Sequence, residues 1–303
     1  MSNKTLQKIK IGINPLTWSN DDLPSLGADT PLEVCLSEAK QAGYQGVELG
    51  NKFPRDPQVL GPILAEHGLE LVSGWYSAQL LERSAEAEIE AMQPHLQLLK
   101  SLGAKVMVFA EVSGCVHGDQ AMPLSRRPRM RADQWPEYGR RITQVADYMA
   151  AQGVKLAYHH HMGTVIETAE EVALLMQHTG ENVGLLLDTG HISYAGGDPL
   201  VLVQQFASRI VHVHCKDVRP HILTESLNSD SAFLKAVLNG VYTVPGDGSI
   251  DYLPIFTALK AVDYQGWIVV EAEQDPAIAH PLTYARMGYQ YLSETLAKAG
   301  LTD

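Results

Sequence analysis

Histidines and carboxylates recur in this 303-residue sequence where short apolar runs end. His159 and His161 are two residues apart, so in an extended strand both point to one side and His160 points away. Carboxylate and imidazole groups without thiolates favour a reactive site for Mn²⁺, Co²⁺, Fe²⁺ or Zn²⁺ over a structural zinc site. The side chains that end the successive runs are Asn14, Glu48, Trp75, Glu111, His159, His160, His161, Asp188, His214, Lys216, Glu271 and Glu273.

Each of these signals also has an ordinary structural explanation when it is taken alone. A single histidine on a strand is often a hydrogen-bonded core residue, and Asp188-Thr189-Gly190-His191 also suits a strand-to-loop turn. An ion pair at the end of two strands is the alternative for Lys216 and Glu273. Polar groups on buried strands need partners or a cavity to face, so we interpret the whole set as one site.

The runs that carry these residues are predicted to be parallel β-strands, because most are nearly continuous apolar or β-branched stretches. A helix start is predicted at Thr30-Pro31-Leu32-Glu33, with Thr30 as the N-cap. Amphipathic helices are predicted at 84–102, 133–152, 168–178 and 281–299. The predicted strands are 10–14, 46–50, 70–75, 105–111, 154–161, 183–188, 210–216 and 266–273.

About eight strand–helix units in a chain of this length predict a single-domain (β/α)₈ barrel over residues 1–303. A doubly wound sheet has the same local pattern, but no glycine-rich turn follows the first strand, which disfavours its dinucleotide-binding version. The carboxyl ends of all strands in a barrel meet at one rim, where active sites are built. The segments 112–132 and 217–248 are predicted to be long loops that act as lids.

The charge of the chain indicates which classes of macromolecular partner it is expected not to bind. The net charge of −12 predicts no binding to nucleic acid or to anionic membranes. The one basic cluster is interpreted as a solvated loop, with a lid or subunit contact as the alternative. Its members are Arg126, Arg127, Arg129 and Arg131.

Cellular location is predicted from the cysteines and from the apolar runs. Three scattered cysteines predict no disulfide framework, and Cys215 is interpreted as a small buried hydrophobe. The first residues do not resemble a signal peptide, and no apolar run reaches the ~20 residues of a membrane span. We therefore expect a cytoplasmic protein, and the sequence leaves open whether it forms a homo-oligomer.

Three segments resemble the sugar isomerase and epimerase superfamily of metal-dependent TIM barrels: DTGH at 188–191, HVHCKD at 212–217 and VVEAE at 269–273. Four other segments resemble the inosose dehydratase family within it, namely INPLTW at 13–18, GVELGNKFP at 46–54, SGWYSAQL at 73–80 and YHHHMGT at 158–164. The resemblance implies loss of water from 2-keto-myo-inositol to give a trihydroxycyclohexane-1,2-dione. It implies Mn²⁺ or Co²⁺ as cofactor, and glutathione enters only through this resemblance.

The resemblance also implies a set of metal ligands. The superfamily usually takes Glu, Asp, His and Glu from strands five to eight, and these positions fall on His159, Asp188, His214 and Glu271. This sequence departs from the pattern at His159, so His161 is the alternative ligand from strand five. The departure weakens the reading as a keto-sugar epimerase or isomerase, because that glutamate is a catalytic base in some of those enzymes.

Catalysis requires a base that removes the proton α to the ketone and an acid that protonates the departing β-hydroxyl. The candidates are His161 and His191, followed by Lys216 and Glu273, and the sequence does not separate base from acid. A non-catalytic sugar-binding barrel and an abasic-site endonuclease are the alternatives of other classes. The expected partner is a small polyhydroxylated ketone, with Asn14, Glu48, Trp75 and Glu111 as candidate substrate-binding residues.

Overall fold

The computed structural model describes residues 9–302, and the chain forms a closed barrel of eight parallel strands. Two further short strands lie outside the barrel and pair with each other, antiparallel. The barrel strands are β1 (Lys10–Ile13), β2 (Gly46–Leu49), β3 (Glu70–Ala78), β4 (Val106–Glu111), β5 (Lys155–His159), β6 (Val183–Asp188), β7 (Ile210–Cys215) and β10 (Trp267–Val270), and the outer pair is β8 (Asp217–Val218) and β9 (Tyr242–Thr243). The barrel closes where β10 pairs with β1.

Helices follow the strands and cover the outside of the barrel. An apolar core fills the space between the sheet and these helices, whereas the polar residues collect at the carboxyl ends of the strands. The helices are α1 (Leu32–Ala42), α2 (Pro57–His67), α3 (Ala85–Ala91), α4 (Gln93–Ser101), α5 (Trp135–Ala151), α6 (Ala169–His178), α7 (Thr189–Tyr194), α8 (Pro199–Phe206), α9 (Pro220–Asn228), α10 (Phe233–Leu238), α11 (Tyr252–Ala261) and α12 (Pro281–Ala299). Within residues 9–302, no helix has the length and apolar character that crossing a membrane requires.

The predicted (β/α)₈ barrel is confirmed, and the ends of the eight predicted strands differ from the observed ends by at most three residues. The largest differences are at β3, which runs three residues further, and at β10, which ends three residues earlier. Because β5 ends at His159 and β10 at Val270, His161, Glu271 and Glu273 lie just beyond their strands, on the segments that lead into the loops.

Two predictions about helices are wrong in detail. The predicted helix 84–102 is two helices, α3 and α4, because Pro94 occupies the first turn of a new helix that begins after Met92. Thr30 is not an N-cap, since α1 begins at Leu32 and extended Pro31 occupies the cap position. The carbonyl oxygen of Thr30 instead accepts a hydrogen bond from the Lys52 ammonium at 2.5 Å.

The segment 217–248 is not the loop that was predicted, because it folds into β8, α9, α10 and β9. Buried Asp217 anchors both ends of this insertion, since its carboxylate accepts the backbone N–H groups of Val218, Gly246, Ser249 and Ile250. The segment 112–132 touches the insertion through a bridge between Pro123 and Ala232. Whether either segment acts as a lid stays a prediction.

Arg127 corrects the interpretation of the arginine cluster as a solvated loop. Its guanidinium is buried and lies 2.8 Å from Glu171 and 3.1 Å from Glu167, and it donates to the carbonyl oxygen of Thr164. Arg129 and Arg131 stay exposed. One arginine of the cluster therefore ties the segment 112–132 to the loop between β5 and α6, because a buried cation needs anionic partners.

Close packing of α5 on the end of α6 generates a prediction about stability. A Cβ at Gly139 would collide with the carbonyl oxygen of His178. We expect Gly139→Ala to lower the free energy of unfolding by about 1–3 kcal/mol, although alanine favours helix formation. Gly61→Ala in α2 is the matched control, because its Cβ would meet only the tip of Leu102. Equal unfolding temperatures for the two variants would contradict this packing.

Candidate metal centre and active site

Four buried side chains from neighbouring strand ends converge at the carboxyl rim of the barrel. His159 Nε2 lies 3.2 Å from Asp188 Oδ2, and His214 Nδ1 lies 3.6 Å from the same oxygen. Glu271 Oε2 lies against His214 Nδ1. One ligand atom from each of the four residues lies within 4.8 Å of all the others. These are the four residues that the resemblance assigned to the metal.

The donor chemistry of this cluster fits a divalent metal ion. Ligand bonds of ~2.0–2.2 Å place neighbouring donor atoms roughly 3–3.5 Å apart, close to the separations observed. Burial would lower the pKa of His214, but the carboxylates of Glu271 and Glu48 raise it well above its ordinary value, and its Nδ1 also faces Asp188. A metal cation in place of the imidazole proton would neutralise these carboxylates and use the nitrogen lone pair. The cluster can therefore hold a metal ion.

Lys216 lies directly beside the cluster and is fully buried. Its Nζ is 2.7 Å from Glu271, 2.6 Å from Glu273 and 2.9 Å from His191 Nε2. Burial would lower the pKa of Lys216, but the carboxylates of Glu271 and Glu273 raise it above its ordinary value. The ion pair between Lys216 and Glu273, considered in the sequence as a structural alternative, is therefore present within the site.

The two glutamates on this lysine differ in their electrostatic surroundings. Burial opposes ionisation of Glu271, but His214 and Lys216 offset that effect and lower its pKa to about 2. Burial raises the pKa of Glu273 to about 7, with Lys216 acting in the opposite direction. Glu271 is thus a carboxylate, whereas Glu273 is the carboxyl of the pair that takes up a proton more readily.

His161 faces the cavity and has a defined tautomer. Its Nδ1 lies 2.8 Å from the carbonyl oxygen of Met162, so Nδ1–H donates and Nε2 is the nitrogen that can accept a proton. Burial lowers the pKa of His161 well below its ordinary value, and the charges of His117, His159 and Lys216 lower it further. The imidazole is therefore neutral, and its ring lies 5.5 Å from that of Trp75.

His191 lies behind His161 rather than on the cavity surface. The two rings are 3.8 Å apart between centroids, and His191 is fully buried. Its Nδ1 is 3.2 Å from the Tyr242 hydroxyl, and its Nε2 faces Lys216. This histidine contacts the other candidate catalytic groups but has no surface on the cavity.

A cavity opens at this rim, with about 570 Å³ of space when the solvent at its mouth is included. Trp75 presents a partly buried ring to it. Asn14 and Glu48 also border it, but the Asn14 amide donates to the Glu48 carboxylate at 2.7 Å. The lining residues are Asn14, Leu16, Asp21, Asp22, Glu48, Leu49, Trp75, Val108, His159, His161, His214, Glu271 and Glu273.

Glu111 was predicted to bind substrate, and its position contradicts this. Its carboxylate is fully buried away from the cavity and accepts the backbone N–H groups of Leu80 at 2.7 Å and Ser113 at 3.0 Å. Burial raises its pKa to about 7, and these hydrogen bonds oppose the shift. Glu111 therefore anchors the loops that follow β3 and β4.

The outer part of the cavity contains residues that sequence reasoning missed. Asp22, from the loop after β1, lies 3.5 Å from His117, which comes from the loop after β4. Burial opposes a charge on His117, but hydrogen bonds to Asp22 and Cys115 offset it and raise its pKa to about 10. His117 also packs on the His161 ring, 5.0 Å away. No local sequence pattern marks this pair, because its members come from separate loops.

Comparison with known proteins finds relatives that align with nearly the whole chain. The family model for the xylose isomerase-like TIM barrel matches residues 36–295. The rhizopine catabolism protein MocC of Rhizobium meliloti is 54% identical over 98% of this chain and 91% of its own length. An inosose dehydratase of Geobacillus thermodenitrificans (strain NG80-2) is 44% identical over 95% of this chain and 97% of its own. A solved structure of the IOLI protein with a bound zinc atom has 17% identity and a TM-score of 0.68, covering 96% and 99% of the two chains.

The burial of Lys216 generates a prediction about stability without metal. Lys216→Met would leave Glu271 and Glu273 without their shared cation. We therefore expect the free energy of unfolding, measured at pH 7 with a chelator present, to be about 3–5 kcal/mol lower than that of the parent. The difference should shrink at pH 5, because uncompensated carboxylates take up protons there. Exposed Lys298→Met on α12 is the control. A Lys216→Met protein as stable as the parent would show that the ammonium does not balance these charges.

Proposed function

Because the chain belongs to the xylose isomerase-like TIM barrel family and aligns with inosose dehydratases along nearly its whole length, we propose that it removes water from 2-keto-myo-inositol. The product is a trihydroxycyclohexane-1,2-dione. The protein is a hydro-lyase of inositol catabolism. The observation that carries this conclusion is the 44% identity over 97% of an inosose dehydratase.

We infer that His159, Asp188, His214 and Glu271 hold a divalent metal ion, with Mn²⁺ or Co²⁺ as the expected ion. His159 is preferred to His161 as the ligand after β5, because its Nε2 faces Asp188 at 3.2 Å. His161 instead groups with His191 and Glu273. When bound, the metal would supply Lewis-acid stabilisation of negative charge on the ketone oxygen.

His161 is the proposed general base. Its Nδ1 is committed to the carbonyl of Met162, so the neutral ring offers Nε2 to a proton. The Trp75 ring beside it gives a flat apolar surface against which a six-membered ring can lie. Transfer of the α proton to Nε2 leaves the electron pair of the C–H bond to form the enolate.

Glu273 is the proposed general acid. It lines the cavity, lies outside the proposed ligand set and contacts Lys216 at 2.6 Å. Its carboxyl gives a proton to the β-hydroxyl while the C–O bond breaks, so the group leaves as water. His161 gains one proton in the cycle and Glu273 loses one, and their ligand atoms lie within 4.8 Å of each other, so passing that proton from His161 to Glu273 restores both groups. The resulting enol then converts to the dione.

A second candidate substrate follows from the 54% identity with the rhizopine catabolism protein. The same elimination on a compound of rhizopine catabolism would use the same residues. Glutathione binding, assembly into a homo-oligomer, cytoplasmic location and a lid role for 112–132 and 217–248 stay predictions.

Direct assay of the dehydration tests the function. Protein loaded with Mn²⁺ or Co²⁺ is incubated with 2-keto-myo-inositol, and the ultraviolet absorbance of the dione is followed. We expect turnover with this substrate, and the rate with compounds of rhizopine breakdown, measured in parallel, decides between the two candidates. A metal-loaded, folded protein that forms no dione from 2-keto-myo-inositol would overturn the proposal.

Metal dependence is the first prediction from this mechanism. Chelation should abolish turnover, and Mn²⁺ or Co²⁺ should restore it. Asp188→Ala should lose metal, measured by elemental analysis and equilibrium dialysis, while its circular dichroism stays that of the parent. Asp29→Ala in an exposed loop is the control and should keep its metal. Full activity in protein shown to be metal-free would contradict the metal site.

The separate roles of base and acid form the second prediction. His161→Gln should lose both dione formation and exchange of the α proton with deuterated solvent, by ~10²–10⁴-fold, because both need the base. Glu273→Gln should lose dione formation by a similar factor but still exchange the α proton, because only departure of the β-hydroxyl as water needs the acid. Both rates are measured by NMR on metal-loaded protein. Unimpaired exchange in His161→Gln would remove this histidine from the role of base.

A further inference from the structure

Glu48, at the end of β2, lies at the centre of a buried group of hydrogen-bond donors. Its Oε1 is 2.8 Å from His212 Nε2 and 3.1 Å from His214 Nε2. The Ser73 hydroxyl donates to the same oxygen at 2.5 Å, and the Asn14 amide donates to Oε2 at 2.7 Å. Both carboxylate oxygens are therefore engaged by protein groups, which argues against a main role in binding substrate.

The contact with Glu48 determines which nitrogen of His214 carries hydrogen. An ionised carboxylate only accepts hydrogen bonds, so Nε2 of His214 must donate. A histidine that binds a metal is neutral and has one N–H, so in the metal-bound state the Nδ1 of His214 would be the nitrogen with the lone pair. This nitrogen faces Asp188 Oδ2 at 3.6 Å and also contacts Glu271.

We propose that Glu48 is a positioning residue that holds the Nε2–H of His214 and so presents Nδ1 to the metal. The inference rests on the metal site proposed above. A carboxylate on the far nitrogen of a ligating histidine fixes the ring and its tautomer and strengthens the nitrogen as a donor. Such a partner is generally worth 10–100-fold in metal affinity.

Neighbouring histidines show that this arrangement is specific to His214. His159 Nδ1 is buried without a partner, so no carboxylate supports that ring in the same way among the described residues. His212 shares the Glu48 oxygen and its donor atoms group with those of Glu48 and His214, but it does not belong to the His159–Asp188–His214–Glu271 group. His212 therefore provides a control within the same hydrogen-bond network.

Metal affinity of Glu48→Gln tests the proposal. The dissociation constant for Co²⁺ is measured by competition with a chromophoric chelator, and the visible absorption of bound Co²⁺ reports its coordination. We expect the dissociation constant to rise 10–100-fold and the spectrum to change, because the amide is a weaker acceptor and can also present N–H to the ring. An unchanged affinity and spectrum would overturn the proposal.

Two controls separate positioning from general damage to the fold. Glu111→Gln alters another buried strand-end glutamate that is remote from the cluster, and it should keep the parent's Co²⁺ affinity. His212→Gln removes one partner of the Glu48 oxygen but leaves the His214 contact, and it should change the affinity by only a few-fold. Equal loss of affinity in all three variants would show that Glu48 acts through fold integrity, and the proposal would fail.

A measurement on the unaltered protein covers the case in which Glu48→Gln does not fold. In protein labelled with ¹⁵N-histidine and loaded with Zn²⁺, we expect Nδ1 of His214 to show the shift of a metal-bound nitrogen and Nε2 to keep a slowly exchanging proton. Metal bound through Nε2 would overturn the proposal. Loss of metal in Asp188→Ala with no effect in Glu48→Gln would refute the role of Glu48 alone, whereas retention in Asp188→Ala would refute the metal site itself.

Discussion

The site depends on the balance of charges that the barrel has removed from water. Lys216 is surrounded by Glu271, Glu273 and Asp188, with oxygens 2.6–3.7 Å from its Nζ. A charge in such a position is tolerated only when an opposite charge and hydrogen bonds replace its hydration. The end of β7 and the segment after β10 must therefore stay in register with each other. In that register His214 pairs with Val269, two residues before Glu271, and Glu271 contacts His214, so the charge balance and the metal cluster depend on the same strand geometry.

The features that could be predicted from the sequence are those that follow from the apolar character of buried strands and from the two-residue repeat of their side chains. Parallel strands covered on both faces need nearly continuous apolar residues, and this pattern allowed the barrel to be predicted from the sequence. The two-residue repeat also predicted correctly that His160 points to the opposite side from His159 and His161. His160 turns away from the cavity, and its ring accepts the backbone N–H of Asp188, whereas His159 and His161 line the cavity.

Residues whose roles depend on partners far away in the chain could not be assigned in the same way. Glu48 and Glu111 look alike in sequence, since each ends an apolar run with a carboxylate. Glu48 meets imidazoles 164 and 166 positions away, whereas Glu111 meets N–H groups of loop backbone. The same limit applies to Arg127. The sequence predicted a solvated residue, but in the fold its guanidinium pairs with Glu167 and Glu171. Only the closed barrel determines which groups become neighbours.

The charge of the cavity lining also affects which classes of small molecule can bind there. Carboxylates of Asp21, Asp22, Glu48, Glu271 and Glu273 border it, and no lysine or arginine is among its described lining residues. Many TIM barrels capture phosphate esters through cationic or helix-terminal groups at this same rim. Here a phosphate dianion would meet these carboxylates with no lysine or arginine in the described lining, so only the proposed metal ion would attract it. From this lining we expect uncharged ring compounds to bind in the cavity more readily than their phosphate esters.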